Sequence, residues 1–237
     1  MEATGTDRDR DRSKATAEDR DVSGHAARWA DPVRAITFSD AVFAIIITLL
    51  ALDLIPPEWE PGHLLRELIG RWPTYVAYLA SYLVVGVVWT NHRAVFHHVR
   101  RMDWTLQWAN LGVVFGTGLL PFPTAVVADA IGAGNPADER TAVALYAVIG
   151  TLTTLSWLLL FHYLSGHPEL LKHDDDGPFF ASERVRAVFG AAGYIGAGVL
   201  GALVSPLLAL AIFVLLPIFY GLTSERLAGV LGSKRGT

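Results

Sequence analysis

Cysteine is absent from all 237 residues, which excludes disulfide bridges and thiolate metal sites. No run of arginines recurs at every third position, so a voltage-sensing helix is not expected. A membrane-embedded hydrolase needs a nucleophile–base pair or metal ligands at depth. His92 and His162 are available, but no carboxylate pair or His-x-x-x-His accompanies them. The segment Phe38-Ser39-Asp40 occurs once, and the second half of the chain carries no matching polar cluster. That counts against the inverted repeats of a secondary transporter. The first thirty residues, Asp-Arg repeats with Ser, Thr, Gly and Ala, lack the short apolar core of a signal peptide. Their composition predicts a disordered tail over 1–30.

What remains is strongly apolar. Hydrophobic residues make up 52% of the chain and come in long blocks with brief polar gaps. A soluble domain would interleave them at helical or strand spacing. A helix of about 20 apolar residues crosses the hydrocarbon core. Six blocks of that kind predict an all-α membrane protein, with spans near 33–55, 72–97, 104–130, 140–164, 184–203 and 206–223. The transmembrane domain is thus 31–223, followed by a short tail, 224–237. The net charge of −4 says less than its distribution. Six spans put both termini and the loops after spans two and four on one side. That side carries most Lys and Arg, while the other holds only Arg66, Arg71 and Arg140. The bias predicts a multi-pass protein of the cell membrane with cytoplasmic termini.

A rise of about 1.5 Å per residue converts position into depth. Asp40, six residues beyond Arg34, lies about 9 Å into span one. His92 on span two and Asn110 on span three lie at similar distances from the cytoplasmic side. Ionisable and polar groups at such depth are expensive and need partners. Trp89, His92, Arg93 and Phe96 share a helix face at i, i+3, i+4, i+7. The expectation is a structural clamp in which Arg93 or His92 pairs with Asp40, while Ser39 and Asn91 supply hydrogen bonds. Local bonding or snorkelling of each group is the plainer alternative. Ile45, Leu49 and Leu52 form an aliphatic stripe with Thr48 beside it, and Asp40 lies about 140° from Ile45 around the helix. Clamp and stripe therefore face different ways. By itself the stripe fits lipid or core; a hydrophobic pore lining is the other possibility.

Three motifs in order resemble one family. Arg34-x-x-x-Phe38-Ser39-Asp40 is similar to the signature of the transmembrane protein 175 family of potassium channels. Trp89-Thr90-Asn91-His92-Arg93-Ala94-Val95-Phe96 is similar to its Trp-x-x-His-His-x-x-Phe. Asn110-Leu111 followed by Leu120-Pro121-Phe122-Pro123-Thr124 resembles its third-span pattern. Spans four to six match only in number and length. The resemblance implies a single-repeat member that assembles as a homotetramer in the bilayer. It also implies potassium as the permeant ion, no cofactor, no metal, no nucleic-acid partner and no enzymatic activity. It gives the pore constriction to Ile45, with Leu49, Leu52 and Thr48 as further rings. The role of holding the helices together falls to Arg34, Phe38, Ser39, Asp40, Trp89, Asn91, His92, Arg93 and Asn110. Arg93 stands where the family often has a second histidine, and it stays charged. No Thr-Val-Gly-Tyr-Gly loop occurs, so selectivity would come from an apolar ring that favours potassium modestly over sodium. The alternative function is a proton- or cation-coupled carrier using Asp40 and His92.

Other features have plainer expectations. His97-His98 reads as interfacial. Asp174-Asp175-Asp176-Gly177-Pro178 reads as a helix-stopping loop. Gly193, Ala197 and Gly201 provide small residues for close helix packing, within or between subunits. Pro121 and Pro123 predict a kink in span three. Trp59, Trp72, Trp104 and Trp108 fit interfacial anchors.

Overall fold

The computed structural model describes residues 31–173 and 177–223, so the expectations for both tails and for Asp174 to Asp176 lie outside the described residues. Helix α1 runs Pro32–Leu52. It starts where the Asp31 carboxylate accepts from the Val33 N–H at 2.9 Å and Pro32 fixes the first turn. A short helix, α2 (Leu64–Gly70), sits in the loop between the first and second spans, where the sequence predicted none. Arg71 ties that loop down by donating to the Ile55 carbonyl at 2.6 Å. Helix α3 (Trp72–His98) is followed by α4 (Trp104–Gly118) and α5 (Pro121–Ala133).

These last two are the third span, read from sequence as one kinked helix over 104–130. The α-helical hydrogen-bond ladder is interrupted at Leu119-Leu120, both still in the right-handed helical region, because Pro121 and Pro123 cannot donate to the preceding turn. Gly134 then closes α5 in the left-handed conformation (φ 71°). Asn135 follows at once and caps α6 (Pro136–Ser165), accepting from Ala137 N–H at 2.9 Å.

Helix α7 spans Gly177–Leu203. Gly177 and Pro178 therefore open a helix instead of stopping one, and the fifth span begins before the position 184 read from sequence. Proline in a first turn is well placed, since its missing N–H has no partner to lose. Helix α8 covers Pro206–Thr223. Among the described residues five apolar stretches have the length of a full span, and the apolar part of α8, Pro206–Leu222, is shorter. Its 17 residues reach about 25 Å.

Helices α6 and α7 make the most extensive contact in the molecule, and small residues explain the fit. A methyl group at Gly150 would run into the Tyr194 ring, and one at Gly201 would lie 2.7 Å from both Val143 and Ala209. Ala197 is buried in the same seam. The Gly193, Ala197 and Gly201 series thus packs within the protomer, with Gly193 against Leu216 of α8.

Helix α1 is different. Its main neighbours are α3, α4 and α5. Only 22% of its apolar stretch is buried within the protomer, against 33% to 50% for the other four long helices.

Candidate functional site: a polar chain behind an exposed apolar stripe

Two faces of α1 have opposite surroundings. Ser39, Phe43, Ile46 and Leu50 recur at helical spacing and are buried against the neighbouring helices. Ile45 (56% exposed), Leu49 (44%) and Leu52 (68%) lie on the open side with Thr48. The Thr48 hydroxyl donates to the Ile45 carbonyl at 2.7 Å, which leaves its oxygen lone pairs free on that open side.

Behind the stripe, three of the sequence-derived polar residues form one buried chain. His92 Nε2 bonds to Asn110 Oδ1 at 2.8 Å, and Asn110 Nδ2 donates to Ser39 Oγ at 3.1 Å. The chain links α3, α4 and α1, and all three residues are essentially inaccessible. The imidazole stacks on Phe96 at 4.4 Å between centroids and meets Phe43 and Trp157 edge-on. Its Nδ1 has no hydrogen-bond partner.

Asp40 does not pair with Arg93 or His92. It accepts from the Trp89 indole N–H at 3.0 Å, and Arg93 lies 5.2 Å above the Trp89 ring. One helix position separates Ser39 from Asp40, so about 100° of rotation sends the carboxylate away from the buried chain and towards the protomer surface. A guanidinium on an indole face gains cation–π attraction while keeping its charge near water. Arg34 and Phe38 are exposed, outside this network. Asn91 turns the other way and lines a small cavity of about 70 Å³ between α3, α6, α7 and α8. His98 packs against Phe179 at 4.5 Å. Trp59, Trp72, Trp104 and Trp108 are all exposed near helix ends.

Two clusters escaped the sequence reading. Ser81 Oγ lies 2.6 Å from Thr124 Oγ1 and 2.8 Å from the Tyr146 hydroxyl, joining α3, α5 and α6 in the interior. Single serines and threonines in apolar helices leave no spacing signal, because each can bond its own backbone, as Thr124 does to the Leu120 carbonyl. The second cluster is Glu183, which accepts from Arg186 on α7, while Arg186 also donates to the Tyr220 carbonyl at 3.0 Å. Its i, i+3 charge spacing was a readable signal.

Apolar helices of spanning length, held by internal polar bonds, define a multi-pass α-helical membrane protein. Residues 34–121 match the family model described as endosomal/lysosomal potassium channel TMEM175. A potassium channel of Streptomyces collinus is 37% identical over 190 residues, covering 79% of this chain and 90% of that protein. The human endosomal/lysosomal proton channel TMEM175 is 31% identical over 174 residues, which are 63% of this chain but 34% of that protein. The crystal structure of a lysosomal potassium-selective channel TMEM175 homolog from Chamaesiphon minutus superposes with a TM-score of 0.71 at 29% identity, covering 81% of this chain and 96% of that one. This chain belongs to the TMEM175 family of ion channels.

Proposed function

We propose that the protein is a potassium channel, modestly selective over sodium, formed by four copies around a central axis lined by α1. One observation carries this reading. Of the five stretches of full span length, the one with the least burial in the protomer presents Ile45, Thr48, Leu49 and Leu52 outward, while its opposite face is fixed by Ser39 and Asn110. A single lining helix cannot enclose a pore, so copies must combine.

In this arrangement four Ile45 side chains make the narrowest ring, and Leu49 and Leu52 extend the apolar wall. Such a ring resists ions by dewetting and by the cost of stripping hydration. Potassium holds its water less tightly than sodium and crosses more readily. Thr48 offers a ring of hydroxyl oxygens beside the constriction, since its proton is committed to Ile45. The Ser39–Asn110–His92 chain holds each lining helix against its own subunit. Asp40 and His92 bond to different partners, which favours a structural role over a proton relay between them. Both termini face the cytoplasm of a cell-membrane channel that needs no cofactor.

The test is planar-bilayer recording of the purified protein between potassium and sodium solutions. Unitary currents with a potassium-leaning reversal potential are expected. Ile45→Asn should raise conductance and move the reversal potential towards zero. An unchanged reversal potential in that variant would remove Ile45 from the constriction, and silence with proton-coupled flux in liposomes would favour a carrier.

A further inference from the structure

At one end of the bundle, two loops distant in sequence are locked together. Val99 and Leu171 form an isolated antiparallel bridge. Arg100 N–H donates to the Leu170 carbonyl at 2.8 Å, and Lys172 N–H donates to the His98 carbonyl at 2.9 Å. Val99, Met102, Leu170 and Leu171 are buried beneath the bridge and fix it to the core. The outward side chains are polar. Arg100, Arg101, Lys172 and His173 line a crevice of about 500 Å³, and Glu169 is the carboxylate that lines it among the described residues. Arg100, Lys172 and His173 are exposed. Trp104, 71% exposed, and Trp108 stand on the adjoining first turns of α4. Exposed indoles at a span end mark the headgroup level of a bilayer.

We propose that this bridged crevice binds the phosphodiester headgroup of an anionic phospholipid in the adjacent leaflet. A mobile pair of loops would lose much of the attraction to ordering; here the backbone bridge sets the spacing of the cations beforehand. The bond is charge-assisted, from guanidinium and ammonium donors to phosphate oxygens. The orientation proposed above makes this the cytoplasmic leaflet. The binding itself does not depend on channel activity and is read separately from it.

The test is native mass spectrometry of the full chain in detergent, with phosphatidylglycerol or phosphatidylcholine of the same acyl chains. Phosphatidylglycerol should bind at least about 25-fold more tightly, as two or more cations each contribute roughly fivefold. In the double variant Arg100→Gln with Lys172→Gln that affinity should fall about 25-fold on the same scale, with phosphatidylcholine unchanged. Both side chains are exposed and the bridge uses backbone groups, so the fold is retained; Arg66→Gln with Arg140→Gln, at the other end, should leave binding intact. Equal affinity for the two lipids, or full binding by the Arg100 and Lys172 double variant, overturns the proposal. Displacement of phosphatidylglycerol by an equal concentration of inorganic phosphate would assign the crevice to a soluble anion and overturn the headgroup assignment.

Discussion

Asn110→Leu removes both hydrogen bonds of the buried chain while roughly keeping side-chain volume. In the native protein Asn110 serves His92 on one side and Ser39 on the other. The Ser39 hydroxyl can turn to a backbone carbonyl of its own helix. The imidazole has no such recourse: its Nδ1 is already unpartnered, and the variant strands Nε2 as well inside a cage of Phe43, Phe96 and Trp157. A stranded buried polar group costs about 1–3 kcal/mol in water-soluble proteins. Hydrogen bonds between membrane helices average about 0.6 kcal/mol with a maximum near 1.7, because helices separated in the bilayer find other partners. The membrane figures govern here, so two lost bonds give a destabilisation of about 1–3 kcal/mol. The assay is reversible unfolding in sodium dodecyl sulfate mixed micelles, followed by fluorescence of the seven tryptophans. His92→Phe added to Asn110→Leu replaces the stranded ring with one that still stacks on Phe96. The double variant should recover at least about 1 kcal/mol. Additive effects of the two substitutions would refute the argument that the imidazole depends on Asn110.

Further outcomes are open to measurement. Gly150→Ala drives a methyl group into the Tyr194 ring and should destabilise the α6–α7 seam by about 1–3 kcal/mol in the same unfolding assay. Gly132→Ala, where an added carbon meets nothing within 4 Å, should leave stability unchanged or slightly raised. Trp89→Phe removes the indole donor from Asp40 while keeping an aromatic face under Arg93, and should cost about 0.6 kcal/mol in the same unfolding assay. Asp53, beyond the end of α1, has its carboxyl raised above the ordinary value by desolvation and then by the nearby Asp129. The folded state then holds that proton more tightly than the unfolded chain. Stability is therefore lost as pH rises from the ordinary carboxylate value through the raised one. Asp53→Asn should flatten that part of the pH–stability profile; an unchanged slope would show that Asp53 does not set it.

The long apolar blocks made the helical membrane class readable, since no soluble packing accommodates them. Helix ends were less legible. Gly177-Pro178 has the composition of a turn, yet a proline in a first turn also starts a helix, and only the packing of Phe180 and Glu183 into the core decides. The buried chain shows the same limit at finer scale. Depth placed Asp40, His92 and Asn110 in one layer, but depth alone does not fix azimuth. The carboxylate of Asp40 attracts a cation in any sequence argument. In the fold it meets an indole, because α1 turns Ser39 inward and carries Asp40 to the edge. The Ser81–Thr124–Tyr146 contacts were invisible for another reason: they are separated by 43 and 65 residues and rest on hydroxyls common to any apolar helix.

The polar chain also sets an order of events during synthesis. Ser39 and Asn110 are 71 residues apart, so α1 is made and inserted well before its partner exists. At 5–20 residues per second the interval is about 4–14 s. In that interval α3 is also made and brings Trp89 to Asp40, while Ser39 still lacks its Asn110 partner. The α6–α7 seam, by contrast, joins helices adjacent in sequence through small residues and needs no such wait. The first helix to be made is thus seated only once α4 exists, and its docking reports that the first half of the third span has arrived.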